Sequence, residues 1–387
     1  MTPQCLAQLT KLRHDLHKIP EVSGQEEKTA AFVADYLTGF SPDDLLTGLG
    51  GHGVAAVFQG AAAGPTVLIR CELDGLPIEE QSKAPYRSTH AGRGHLCGHD
   101  GHMVMVAGLA EHLAQHRPQR GRVVLLFQPA EETGKGAAAV IADPQFERIK
   151  PDFSFALHNY PGLAAGQLAL CVGPSNCASR GMRIRLSGKT SHAAAPQDGQ
   201  SPAGAMTALM PALVALGAGG AMTPDYALVT LTHAWLGEAT FGIAPGEAEI
   251  WVTLRTVTNA RMADLVTRAE ALVQSVCRDE GLGFSIAYDD VFDACTNHPE
   301  ASSLLTGGAK TAGYEMELWQ VPQPWSEDFG QFGTVSKAAM FWLGAGQDMP
   351  QLHNPDYDFP DEIIPVGVAV FTAAIDALLN ETPSGNA

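Results

Sequence analysis

Two periodicities alternate along the first 170 residues, and that alternation most restricts what the chain can fold into. Helical spacing covers Gln4–His17, where Leu6, Leu9, Leu12 and Leu16 recur on one face, and Glu26–Tyr36. Apolar, strand-like runs follow at Val54–Phe58, Thr66–Cys71, Val123–Gln128 and Asp152–Leu157, with a helical stretch, His102–Gln115, between the second and third. Strands alternating with helices specify an α/β layer with a largely parallel sheet. In such sheets the ligand crevice lies beyond the carboxyl ends of the strands. Three polar motifs share that address: Glu72-Leu73-Asp74 after VLIR, Glu131-Glu132 after VVLLFQP, and His158 after FSFAL.

The pattern changes near Pro174. From there the spacing predicts strands at Met182–Leu186, Ala227–Ala234, Ala248–Val257 and Phe284–Asp289, with helices at Ser201–Leu216 and Arg261–Glu280. Ser201 is expected to cap its helix, with Pro202 at the first helical position. The α/β signal then resumes with helix Ala301–Ala312, strand Ala338–Trp342 and helix Asp361–Leu379. The expected organisation is a discontinuous catalytic domain, 1–178 and 291–387, interrupted by an inserted α+β domain at 179–290. No repeats are visible, and the one low-complexity segment is the tail TPSGNA.

Composition narrows the function. The chain has 387 residues, 45% of them hydrophobic and 17% charged, ample for a folded core. With 24 basic against 42 acidic residues the net charge is −18, which argues against nucleic-acid and anionic-membrane partners. Seven scattered cysteines in a long chain do not make a disulfide scaffold, and a reducing compartment is the simpler reading. The N-terminal segment lacks the apolar run of a signal peptide. The longest apolar stretch, Met206–Met222, is broken by Pro211 and three glycines, so no membrane span is expected. The expected location is the cytoplasm.

The chemistry rests on a set of residues rather than on any one of them. Cys97 and His99 in GHLCGHDGH are two apart. On a helix they would diverge, whereas in a glycine turn they can face one pocket. A lone Cys-x-His is more often a buried cysteine beside a surface histidine, but His95, Asp100 and His102 crowd the same segment. Glu131-Glu132 ends an apolar strand, where adjacent carboxylates repel unless a cation compensates. One can bind a metal while the other moves a proton. His158, alone, would as readily be a satisfied core histidine, and His353 in QLHNPD a loop histidine. Together the thiolate, imidazoles and carboxylates are what two divalent ions need. Asp74 is a candidate carboxylate behind the ligands. His192 in SHAAAP stands in the inserted domain and reaches such a site only by domain closure or from another subunit.

These residues fall in motifs that resemble the aminoacylase/carboxypeptidase family of dinuclear metallopeptidases, in its amidohydrolase branch. RHDLHKIPEVSGQE (13–26), ELDGLP, GHLCGHDGH, QPAEETGKG, SHAAAP, SEDFG and LHNPDYDF (352–359) carry the resemblance, in order, over nearly the whole chain. It implies a mixed-sheet catalytic domain of zinc-exopeptidase type with an inserted α+β lid. It also implies a homodimer or higher homo-oligomer formed through that lid. Cys97 is implied to bridge two metals, with Glu132 and His353 completing one and His99 and His158 the other. Glu131 is implied to be the general base, His192 of a second subunit an oxyanion contact, and Arg255 in TLRTV a grip on a substrate carboxylate. Two positions depart from the common pattern. Glu72 replaces an aspartate, and Gly242 in GIAP replaces an asparagine, removing a side-chain donor.

The expected activity is hydrolysis of the amide of small N-acyl (acetyl, benzoyl or aryl-acyl) amino acids. The cofactor would be two divalent ions, Zn, Mn, Co or Ni, a choice this donor set does not make. The serious competitor is a dipeptidase or carboxypeptidase of the same family. A Cys97 nucleophile would leave Glu131, Glu132 and His353 without roles. A non-catalytic binding protein on the same scaffold would be expected to lack a ligand or the base, and neither is missing.

Overall fold

The computed structural model describes residues 1–380, and the TPSGNA tail lies outside the described residues. The chain divides into two compact units. The first is formed by Met1–Ser175, Thr296–Gln320 and the chain from Asp328 onward; the second is formed by Asn176–Cys295 with Val321–Glu327. The short segment 321–327 thus belongs with the second unit, a grouping the sequence pattern does not reveal.

In the first unit the elements preceding the second are α1 (Pro3–His17), α2 (Glu27–Thr38), β1 (Asp44–Leu49), β2 (Gly53–Gln59), β3 (Ala62–Glu72), α3 (His99–Gln115), β4 (Arg120–Gln128), α4 (Gly136–Ala142), β5 (Phe153–Pro161) and β6 (Leu168–Cys171). With the later strands Met316–Trp319 and Lys337–Gly346 they form one eight-stranded sheet. Its order is β1, β2, β4, β3, β5, Lys337–Gly346, β6, Met316–Trp319. β3 runs parallel to both β4 and β5, and β5 runs parallel to Lys337–Gly346. β1–β2, β2–β4 and β6 against Lys337–Gly346 are antiparallel, so the sheet is mixed. β2 and β4 each carry six consecutive buried residues, the mark of strands covered on both faces. Because β4, β3 and β5 are parallel neighbours, Glu131-Glu132 and Asp74 just beyond β4 and β3 come to the same end of the sheet as His158, which lies inside β5 rather than after it.

The stretch Asp361–Leu379 is long and apolar enough, at mean hydropathy 1.9, to cross a bilayer. Here it is a core helix: Phe371, Ile375 and Leu379 are buried in the main hydrophobic cluster.

The second unit is a four-stranded antiparallel sheet ordered Ala227–Leu236, Glu247–Thr256, Ala178–Ser187, Gly283–Phe292. Along Glu247–Thr256 the period is two, with Ala248, Ile250, Val252 and Leu254 buried beneath the helices Ala203–Val214 and Asn259–Asp279. The first of these helices begins two residues after the expected start. Pro202 takes the cap position, and the Ser201 hydroxyl accepts only the Ala203 N–H, at 3.3 Å.

Candidate metal centre

Cys97 and His99 meet in one pocket because Gly98 between them has φ +92° and begins α3. An L side chain is disfavoured there, and a Cβ would stand 2.5 Å from Asn159 Oδ1. His99 is therefore the first residue of α3, three residues earlier than periodicity predicts. On the opposite wall the strand β4 ends at Gln128, and Ala130, at φ +52°, turns the chain into Glu131 and Glu132. Its N–H is held at 2.8 Å by the buried Glu26 carboxylate. His353 also lies in the left-handed region, at φ +66°, with its N–H donating to Leu96 O at 2.8 Å. Such backbone costs about 1–2 kcal/mol at a non-glycine residue and persists where the surroundings impose it.

The side chains fall into two groups. Ligand atoms of Cys97, His99 and His158 lie within 4.8 Å of one another, and so do those of Cys97, Glu132 and His353. Cys97 belongs to both. Its sulfur is 3.5 Å from His158 Nε2, and His353 Nε2 is 3.6 Å from Glu132 Oε2. His99 Nε2 stands 3.9 Å from Glu132 and 4.0 Å from Glu131. Glu131 and Glu132 are thus side by side, with Glu131 adjoining the His99 group.

The two buried imidazoles are oriented from behind. His99 Nδ1–H donates to Asp74 O at 2.8 Å, and His158 Nδ1–H donates to Asn159 O at 2.9 Å. A carbonyl can only accept, so each ring carries a proton on Nδ1 and turns Nε2 to the pocket. His99 Nε2 is buried with no hydrogen-bond partner among the described residues. A buried ring nitrogen with no partner, facing a thiol and two carboxylates, marks a place for positive charge, whether a proton or a metal cation, and the donor set fits borderline divalent ions.

Electrostatics agree. Burial works against a charged His99, but Cys97 and Asp74 outweigh it and hold the ring well above the ordinary imidazole range. Burial, aided by the Glu132 charge, raises the Cys97 thiol. Burial and the neighbouring His102 hold His158 well below its usual value, and burial lowers His353. Such a pocket favours a positive charge at its centre while keeping His158 neutral, the form that can donate a lone pair.

Asp74 lies behind this set. Its Oδ2 accepts from Ser23 Oγ at 2.7 Å and from the Glu132 N–H at 3.0 Å, and Oδ1 is 3.6 Å from His99 Nδ1. Glu72 is occupied by Arg70 and by His102 Nδ1 at 2.7 Å. Glu72 thus belongs to a buried ion pair. Arg70 also donates to Gln128 at 2.9 Å and to Asp328 at 2.6 Å. Sequence reasoning passes over Arg70, His102, Asn159 and Asp328 as functional residues. The available signal was a lone arginine inside the apolar run TVLIRCE, because a buried charge must find partners.

The other two candidates lie in the second unit. His192 is exposed on the short strand Ser191–His192, which pairs with Ile243–Ala244. Ala193 N–H donates to Gly242 O at 3.0 Å, so SHAAAP and the departing GIAP element are neighbours. The Arg255 guanidinium donates through Nη1 to Pro324 O at 2.6 Å and to Ser326 Oγ at 3.0 Å.

Comparison with known proteins gives the family. An N-acetyldiaminopimelate deacetylase of Anoxybacillus flavithermus is 30% identical, over 93% of this chain and 95% of that one. An N-acetyl-L-cysteine deacetylase of Bacillus subtilis is also 30% identical, over 92% and 85%. The solved structure of a dinuclear metal-binding peptidase of the M20 family from Bacillus subtilis superposes with a TM-score of 0.82 at 24% identity. That match covers 99% of this chain and all of the other. The model of peptidase family M20/M25/M40 matches residues 68–377. That span contains both ligand groups and the whole second unit, and the chain belongs to this family.

Proposed function

We propose that this protein is a metal-dependent amidohydrolase that cleaves the amide bond of N-acyl amino acids. The observation that carries the reading is the pair of ligand groups sharing Cys97. The relatives named for deacetylating N-acetyl amino acids support the substrate class. Cys97, Glu132 and His353 would hold one divalent ion and Cys97, His99 and His158 the other. Zinc, manganese, cobalt and nickel all suit the donors. When bound, the pair supplies Lewis acidity at the amide carbonyl and acidifies a water.

The chain's own residues do the rest. Glu131 takes a proton from the attacking water and returns it to the amide nitrogen as the C–N bond breaks, releasing a carboxylic acid and an amino acid. Asp74 holds the Glu132 N–H and so fixes the position of the ligand carboxylate beside the base. His192, brought by domain closure or by a second subunit, donates to the oxyanion, and Arg255 binds the substrate carboxylate. A homodimer through the second unit is supported by its open edge strand Ala227–Leu236, where Leu231, Trp235 and Leu236 are exposed. All seven cysteines are free and buried, which supports the cytoplasm.

Glu131→Gln tests the assignment of the base. The variant should keep two metal equivalents and its melting temperature while kcat falls by about 10²–10⁴. Near-normal turnover with full metal would remove Glu131 from the reaction.

A further inference from the structure

The segment 13–26 contains a buried, multiply bonded residue that the reaction above does not use. Arg13, in the last turns of α1, is fully buried, and its guanidinium faces three carboxylates, Asp100 in the first turn of α3 and Asp358 and Asp361 beyond His353. Nη1 donates to Asp100 Oδ2 at 3.1 Å and to Asp358 Oδ1 at 2.9 Å, while Nε lies 2.6 Å from Asp361 Oδ1. Asp100 follows the ligand His99 directly. Asp358 lies five residues beyond the ligand His353 in LHNPDYDF. One guanidinium thus ties the turn that carries Cys97 and His99 to the loop that carries His353. The neighbours complete the clamp. Tyr86 donates its hydroxyl to Asp358 Oδ2 at 2.6 Å and presents its ring 4.7 Å from the Arg13 guanidinium carbon. His17 Nδ1 meets Asp100 Oδ2 at 2.8 Å. At Gly101 a Cβ would stand 2.4 Å from the Phe359 ring, so α3 and this loop are in direct contact.

His353 depends on such a clamp more than the other histidines do. His99 and His158 are each oriented by a carbonyl on Nδ1. The His353 ring has no such partner among the described residues, is half exposed, and sits on left-handed backbone. Its aim is set by where its loop is held.

We propose that Arg13 is a positioning residue for the metal pocket formed by Cys97, Glu132 and His353, holding the His353 loop against the Cys97–His99 turn. The inference rests on the two-metal reading. The planar guanidinium serves Asp100 and Asp358 through Nη1 while its Nε faces Asp361, a span that a single ammonium does not cover, so a lysine should not replace it.

The test is a Zn²⁺ titration of the metal-stripped full chain against a chromophoric chelator, with melting temperature recorded for each protein. The wild type should bind two equivalents. Arg13→Lys and Asp358→Asn should each bind one equivalent within about twofold of wild type and the other about 10- to 100-fold more weakly. Tyr86→Phe should move the same equivalent in the same direction by less. Asp358→Asn and Tyr86→Phe change partly exposed partners and keep the test open if the Arg13 variant does not fold. Unchanged affinity for both equivalents would overturn the proposal. So would a parallel weakening of both that follows the melting temperature, which is what a purely structural role gives. A wild type that binds fewer than two ions would instead break the two-metal reading itself, before any variant is compared.

Discussion

The candidate groups of the two units are built in opposite ways. In the first unit Cys97, His99 and His158 are buried, Cys97 is also grouped with Glu132 and His353, and the two buried imidazoles are held from behind. In the second unit His192 is exposed on a two-residue strand, and Arg255 is tied to the 324–326 backbone and hydroxyl. Groups that concentrate negative charge around a cation need mutual compensation and a rigid frame. A group that must come to a substrate from elsewhere, as His192 is proposed to do, needs open space and freedom to approach. Metal content should therefore report on the first unit alone, and turnover on both.

The largest effect is expected at Cys97, the one residue common to both ligand groups. Cys97→Ala should lower metal content below two equivalents by elemental analysis. It should also reduce kcat/KM about a thousandfold or more, ~4 kcal/mol of transition-state stabilisation. Full metal content would break the assignment of Cys97 as a shared ligand. His192→Ala is the matching test in the second unit. Because the side chain is exposed, melting temperature and metal content should stay at wild-type values while kcat falls about 10²–10³. A kcat within about twofold of wild type would confine the chemistry to the first unit.

How much of this was legible in the sequence follows the same division. The strands carrying the site are continuous apolar runs, so Thr66–Cys71 and Val123–Gln128 emerge from composition and lie within β3 and β4. The candidate ligand set is legible because Cys-Gly-His and Glu-Glu stand together with His158 and His353 in one chain, each just after an apolar run or in a turn. What stays hidden is relational. Nothing in TVLIRCE says that Arg70 spans to Asp328, 258 residues away. Nothing in RHDLH says that Arg13 reaches Asp358, 345 residues away. The segment 321–327 groups with the second unit through contacts such as Arg255 to Pro324, which no local period encodes.

The frame of the first unit also carries a pH signature. Burial disfavours a charged His17, but Asp100 and Glu80 overcome it and raise the ring from 6.5 to about 10. A raised folded-state value stabilises fully below the unfolded pKa and is lost as pH climbs through the folded one. Resistance to denaturant should therefore decline between about pH 6.5 and 10, by an amount on the order of a few kcal/mol. Arg13, Tyr86 and His95 face the same ring and stay as they are in His17→Gln. That variant should be less stable at pH 6.5 and show a flatter decline. An equally steep decline in His17→Gln would place the titrating group elsewhere.

The smallest effect is expected at Gly242, and it contrasts the two units residue for residue. A side chain at Gly98 would strike Asn159 on backbone of φ +92°, so substitution there should empty the first unit's site. At Gly242 an added Cβ meets nothing within 4 Å, and the residue lies beside the His192 turn through the Ala193 N–H. Gly242→Asn should therefore fold with stability unchanged within about 0.5 kcal/mol. Its new amide donor can act only on what approaches the strand from outside. The expected result is a roughly three- to tenfold change in the relative kcat/KM of acetyl-, benzoyl- and indole-acetyl-amino acids, at most ~1.4 kcal/mol. Metal content should not move. If selectivity also stays fixed, the Ile243–His192 pairing does not face the substrate, and the second unit's part in recognition shrinks to Arg255.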